Sequence, residues 1–215
     1  MKTILHVTAV IALAAAALLP LNAGAETHEN GVTYSVLQNP QATATGPSKV
    51  EVIEFFWYGC PHCFAFEPYL EDWIQHKKPA NAEFTRIPVA EGFAWAKPMA
   101  RAFYTEVALG IVDKLHKAIF DEIHRNHHIL KTEADFKAFF EKHGVSAKQF
   151  DATWNSFAVT LNVNRAAHEQ EAYQIAGVPT IAVGGRYTAT LGAGQGPEQL
   201  PHAMDFLIRK AAKQK

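Results

Sequence analysis

The run Val50-Glu51-Val52-Ile53-Glu54-Phe55-Phe56-Trp57 is β-branched, aromatic and almost continuous, and so reads as a central strand. It leads almost directly into Cys60-Pro61-His62-Cys63. Beyond Pro61 the apolar residues Phe64, Phe66, Tyr69, Leu70, Trp73 and Ile74 fall near helical spacing, ending around Pro79. A strand, a tight turn with two cysteines and then a helix constrain this chain more than any other stretch. These are the only two cysteines in 215 residues. The first lands at a helix N-terminus, where free N–H groups and the positive dipole end favour a thiolate. Pro61 suits the first turn because its missing N–H would have no intrahelical partner. The pair reads as a thiol/disulfide redox centre. Half of a structural zinc site is the competing reading, but zinc normally takes four protein ligands and no second pair exists. His124, His127 and His128 find no Cys, Asp or Glu completing a recognised metal pattern. They are expected to be solvated, and no metal is expected.

Residues 1–25 read as a cleaved signal peptide. Met1-Lys2 is a positive start, Val7–Leu19 an apolar stretch and Ala23-Gly24-Ala25 a small-residue cleavage site. A membrane anchor would need about 20 apolar residues, and Pro20 closes this run too early. Export places the cysteines in an oxidising compartment, and a bacterial periplasm is expected. A bridge so short closes too small a loop to staple a chain of this size, so chemistry explains it better. With 20 basic and 21 acidic residues, nothing points to nucleic acid or an anionic membrane surface.

Further along, Val32–Leu37 is predicted as a short edge strand and Ala82–Val89 as the strand after the redox helix. Helical patterns then dominate: Lys97–Leu109, Ile111–Arg125, Thr132–His143, Ser146–Thr153 and Ser156–Ala176. Thr132-x-x-Asp135 and Ser146-x-x-Gln149 are helix-start signals, the second with the capping-box pattern, and Gly144 suits a C-cap. Thr180–Val183, a Gly184-Gly185 turn and Arg186–Thr190 form a predicted hairpin, and Pro197–Lys213 a final amphipathic helix. The class is α/β, in four parts: signal 1–25, a first part 26–91, a helical insertion 92–176 and a second part 177–215. No linker marks either junction, so the parts are expected to pack together.

Glu54-Phe55-Phe56-Trp57-Tyr58-Gly59-Cys60-Pro61-His62-Cys63-Phe64-Ala65-Phe66-Glu67 closely resembles the active-site region of periplasmic disulfide oxidases of the DsbA family. The likeness extends to Gly177-Val178-Pro179-Thr180, to the helical block and to the signal. The resemblance implies a thioredoxin-like fold with an inserted all-helical domain, and a dithiol oxidase that gives its Cys60–Cys63 disulfide to reduced, folding polypeptides. It implies Cys60 as the attacked, exposed sulfur and Cys63 as the more buried one. Pro61 and His62 lie between them, His62 stabilising the Cys60 thiolate. It implies a cis bond at Val178-Pro179, freeing the Val178 backbone to pair with an extended client.

Glu54 is expected to point inward beneath Cys63 as a proton-relay candidate. Arg86, in the next strand, would keep Glu54 ionised if it pairs with it, and Glu67 is a further charged candidate. An apolar surface near Trp57, Tyr58, Phe64 and Phe66 would serve broad client choice. The resemblance further implies no cofactor beyond the cysteine pair, a monomer, and reoxidation by a quinone-linked membrane partner of the DsbB type. Two alternatives stay open: a disulfide isomerase or reductase, and a peptide-binding folding-assistance module with incidental cysteines. Isomerases of this superfamily commonly add an N-terminal dimerisation domain, for which this chain has no room.

Overall fold

The computed structural model describes residues 26–29, 31–192 and 194–214, so the predicted signal lies outside the described residues. Two short strands open the described chain, β1 (Glu26–Glu29) and β2 (Val32–Val36). They are followed by the central strand β3 (Val50–Phe56), every residue of which is buried. Helix α1 (Pro61–Asp72) begins at the cysteine turn and runs on as a π-helical turn, Trp73–Lys77. Strand β4 (Ala82–Pro88) follows.

Five helices come next: α2 (Ala96–Leu109), α3 (Val112–His124), α4 (Glu133–Lys142), α5 (Ala147–Trp154) and α6 (Phe157–Ala172). The chain then returns to the sheet in β5 (Thr180–Val183) and β6 (Tyr187–Thr190) and closes with α7 (Gln199–Ala212). The strand order is β1-β2-β6-β5-β3-β4, with β3 parallel to β4 and antiparallel to β5. This is the expected thioredoxin-like sheet carrying an all-helical insertion.

Three expectations need correction. Val32–Leu37 is not an edge: β1 pairs outside β2, and the strand stops at Val36, although Leu37 N–H still reaches Arg186 O at 2.8 Å. The polar composition of Glu26–Glu29 hid a strand that needs no buried face. The reciprocal capping box sits at Thr132, where Asp135 returns a bond to the Thr132 N–H. At Ser146 the hydroxyl accepts from Gln149 N–H, but the glutamine side chain meets that hydroxyl instead of the backbone. His127 and His128 are exposed, but His124 is half-buried and not freely solvated: Nε2 lies 2.8 Å from Tyr58 O and the ring stacks on Phe64.

The sheet and the insertion share side chains. Phe56, at the end of β3, meets Phe103 of α2 edge-on and His116 of α3 at 5.2 and 5.1 Å between ring centres. Such aromatic pairs contribute about 0.5–1.5 kcal/mol each beyond their buried area. Phe56, Tyr58 and both cysteines lie in one apolar cluster with Leu115, Ile119, Phe120 and Phe136 of the insertion. Farther along the same face of β3, α7 packs Met204, Leu207 and Ile208 against Val50, Val52 and Val183, while Ile53 and Phe55 on the opposite face meet Ala166 of α6.

Candidate active site

Local sequence fixes the cysteine turn. Cys60 is the N-cap of α1, in extended conformation at φ −89° and ψ 117°, and Pro61 occupies the first turn. Cys63 N–H donates to Cys60 Sγ at 3.4 Å, so an otherwise orphaned helix-end donor serves the sulfur. Gly59 is required by space: a Cβ there would lie 2.3 Å from the Trp57 ring. Both cysteines are free thiols here.

Cys60 is less open than expected, at 6% exposure against 0% for Cys63, but the order is as the sequence reading had it. The Cys60 thiol is lowered from 9.0 to about 6. The hydrogen bond from the Cys63 thiol contributes most. The Cys63 and His62 N–H groups and the charge of His62 add to it, and burial works against it. Cys63 is pushed the other way, by burial first and then by the Cys60 sulfur and Glu54. Two thiols three residues apart are thus polarised into an ionised and a protonated one.

The Val178–Pro179 bond is cis. Cys60 Sγ lies 3.3 Å from Val178 O, to which it donates when protonated, and this brings the loop against the sulfur from 118 positions along the chain. Thr180 Oγ1 donates to Gly177 O, and Thr190 Oγ1 to Pro179 O, each at 2.7 Å, pinning the loop to the start of β5.

Glu54 and Arg86 are register partners across β3 and β4, and Arg86 Nε donates to Glu54 Oε2 at 3.1 Å. The same guanidinium reaches Glu67 at 3.4 Å and Glu71 at 2.7 Å. Pairing was expected to keep Glu54 ionised; it does not. Burial, then the negative charge of Glu67, push Glu54 up to about 8, and Glu54 Oε1 has no hydrogen-bond partner. One cation divided among three carboxylates cannot hold the most buried of them ionised. Glu67 is held below its ordinary value: burial opposes this, but the His116 bond and the nearby Arg86 outweigh it.

The sequence reading missed Tyr58, Glu106 and His116 as polar neighbours. The Tyr58 hydroxyl lies 2.8 Å from Glu106 Oε1 and 2.7 Å from His116 Nδ1. Glu106 follows Met99, Ala102 and Phe103 on the buried stripe of α2, and a carboxylate on such a stripe is the signal that could have found it. Tyr58 and Phe66 are fully buried, so the expected apolar surface reduces to Trp57 and Phe64. A groove of about 670 Å³ between α1 and α3 opens onto Glu67, Glu71, Arg86 and His116. Among the described residues no cluster of three or more potential metal ligands occurs.

Residues 51–205 match the DSBA-like thioredoxin domain family. The chain is 38% identical over 198 residues to the thiol:disulfide interchange protein DsbA of Pseudomonas aeruginosa, covering 92% of each. It is 37% identical over 207 residues to the protein of the same name from Bordetella parapertussis, covering 96% of this chain and 97% of that one. The crystal structure of Pseudomonas aeruginosa DsbA superposes with a TM-score of 0.77 at 38% identity, covering 85% of this chain and 94% of that one. The oxidoreductase DsbA from Xylella fastidiosa gives 0.74 at 29% identity, covering 82% and 94%.

Proposed function

This chain belongs to the DSBA-like thioredoxin family and is a thiol:disulfide oxidoreductase; from that premise we propose that it works as an oxidant, donating the Cys60–Cys63 disulfide to reduced polypeptides in the periplasm. The supporting observation is the opposite polarisation of the two sulfurs, Cys60 lowered to about 6 and Cys63 raised. A stabilised thiolate is a good leaving group and makes the reduced state the favoured one.

A client thiolate attacks Cys60 Sγ of the disulfide. The S–S electron pair leaves on Cys63, which takes a proton, and a mixed disulfide forms at Cys60. A second client thiolate attacks the client sulfur of that bond and releases the Cys60 thiolate. The client loses two electrons and gains its own disulfide; Cys60 and Cys63 receive them. Glu54 is the proton partner of Cys63, being buried, close enough to influence that thiol and held near neutral pH. Val178, beside cis-Pro179, offers its backbone to an extended client segment. Pro61 shapes the turn, and His62 adds an N–H and a charge to the stabilisation of Cys60.

The pair is its own redox group, so turnover needs a reoxidising partner, for which a DsbB-type membrane quinone-linked protein is the proposal. Equilibration with reduced and oxidised glutathione tests the direction: an oxidising equilibrium is expected, and one as reducing as that of thioredoxin would make this protein a reductase.

A further inference from the structure

His116 of α3 takes no part in the thiol chemistry above. It is 4% exposed and walled by the rings of Phe56, Phe103 and Phe120. Yet both its nitrogens have polar partners, Nδ1 the Tyr58 hydroxyl at 2.7 Å and Nε2 the Glu67 Oε1 at 3.3 Å. Proton positions along this line follow from what lies at its far end. The phenol has one proton and two neighbours, His116 and Glu106, and can donate to only one. Glu106 is fully buried and its Oε2 has no partner. As a carboxylate it would be a buried charge with an orphaned oxygen, which is costly, whereas a neutral acid leaves only a carbonyl unpaired. Burial raises its pKa accordingly.

With the acid proton on Oε1, Glu106 donates to Tyr58 across the 2.8 Å between them, and the Tyr58 O–H is then free to donate to His116 Nδ1. His116 is neutral, burial holding it so against the pull of Glu67, and carries its proton on Nε2 toward Glu67. The contact is a hydrogen bond to a carboxylate rather than an ion pair. Glu54 and Glu67 then differ in one respect. Each has one oxygen on Arg86, at 3.1 and 3.4 Å, but the second oxygen of Glu67 receives the His116 N–H while that of Glu54 receives nothing.

We infer that His116 is a positioning residue that decides which of the two carboxyls sharing Arg86 holds a proton: its N–H fixes the charge on Glu67 of the redox helix and leaves the proton on Glu54, beside Cys63. This rests on the reading of Glu54 as the proton partner of Cys63. The charged and titratable groups facing the line are Glu67 and Glu71 from α1, Arg86 from β4, Glu54 from β3, Tyr58 from the turn and Glu106 from α2. The insertion thereby sets the proton inventory of a site built on the sheet.

Carboxyl ¹³C NMR titration of the reduced protein tests the assignment directly. In the wild type Glu54 is expected to titrate above Glu67. His116→Phe keeps a ring in the cavity but removes the donor. The ratio of protonated Glu54 to protonated Glu67 should then fall at least about tenfold, equivalent to about 1.4 kcal/mol. His116→Gln, which restores an N–H without an imidazole, should recover most of that change, a rescue that packing alone would not give. The inflection of the reduction potential against pH should follow the Glu54 midpoint in all three proteins. Glu67 titrating above Glu54 in the wild type would overturn the inference even if no variant folds, as would unmoved midpoints in His116→Phe. Midpoints that move as expected while the potential ignores them would support the His116 assignment and remove Glu54 as the partner of Cys63.

Discussion

The thiolate of Cys60 should appear as a pH-dependent gap in stability between the reduced and oxidised proteins. Its pKa falls from 9.0 to about 6 on folding. An acid depressed in this way stabilises the fold fully above its unfolded value, and that stabilisation is lost as pH falls through the folded value. At 1.36 kcal/mol per unit the whole effect is about 4 kcal/mol above pH 9, about 2.7 at pH 8, about 1.4 at pH 7 and nearly nothing at pH 5. Water reaches the rim of the sulfur, so screening trims this to about 2 kcal/mol at pH 8 and about 1 at pH 7. Only the reduced form has this term. Cys63 stays protonated across the window, its pKa being raised. Groups that ionise alike in both forms cancel in the difference.

For a domain of this size about 1 kcal/mol moves Tm by about 2–4 °C. The melting gap between reduced and oxidised protein should therefore widen, in favour of the reduced form, by about 4–8 °C between pH 5 and pH 8. Thermal or urea melts of both forms at four pH values measure it, with thiolate absorbance in the ultraviolet tracking the same midpoint. A gap that stays constant or narrows as pH rises would refute the reasoning, because nothing would then link the thiolate to folding.

Cys63→Ala should accumulate mixed disulfides with exported proteins on non-reducing gels and Cys60→Ala should not; the reverse pattern would exchange the roles of the two sulfurs. His62→Ser should lower the reduction potential by less than about 30 mV, the equivalent of about 1.4 kcal/mol, because its charge is the least of the contributions to Cys60; a larger fall in a glutathione equilibrium would make that histidine the main activator. Arg86→Met leaves Glu54 and Glu67 without their cation, a loss of about 3–5 kcal/mol when the carboxyls are ionised. Protonation relieves that loss, so the deficit in urea stability should shrink as pH falls, and a pH-independent deficit would contradict the shared-cation arrangement.

The thioredoxin-like core was legible because it is written in local periodicities. The unbroken apolar run of β3, the helical spacing after Pro61 and the double-glycine turn each report a backbone state within a few residues. Gly184 and Gly185 do sit at φ +60° and +65°. The cysteine pair was legible for the same reason, since turn, cap and nucleophile lie within four positions. The proton line was not. Tyr58 and His116 are 58 positions apart, Glu67 and His116 are 49 apart, and each residue on its own is compatible with a surface location. The conflict between a polar residue and an apolar stripe is visible for Glu106, but its partner is set only by how α2, α3 and the turn after β3 meet. Arg86 shows the other limit. The pairing with Glu54 could be foreseen from neighbouring strands, but its electrostatic outcome could not, because two further carboxylates on α1 compete for the same guanidinium.

The cluster that joins Phe56, Tyr58 and the cysteines to the helices of the insertion bears on modularity. An insert that touched its host only at two hinges could be exchanged between relatives or trimmed away, leaving a smaller working enzyme. Here excision would uncover Phe56 and Tyr58 at the end of the central strand and strip the insertion's apolar side chains from the cluster that holds Cys63. The resulting fragment would carry its reactive turn on a sticky, partly hydrated aromatic face. Shuffling this module as a cassette would require recutting both surfaces together, so host and insert are expected to accept change as a pair.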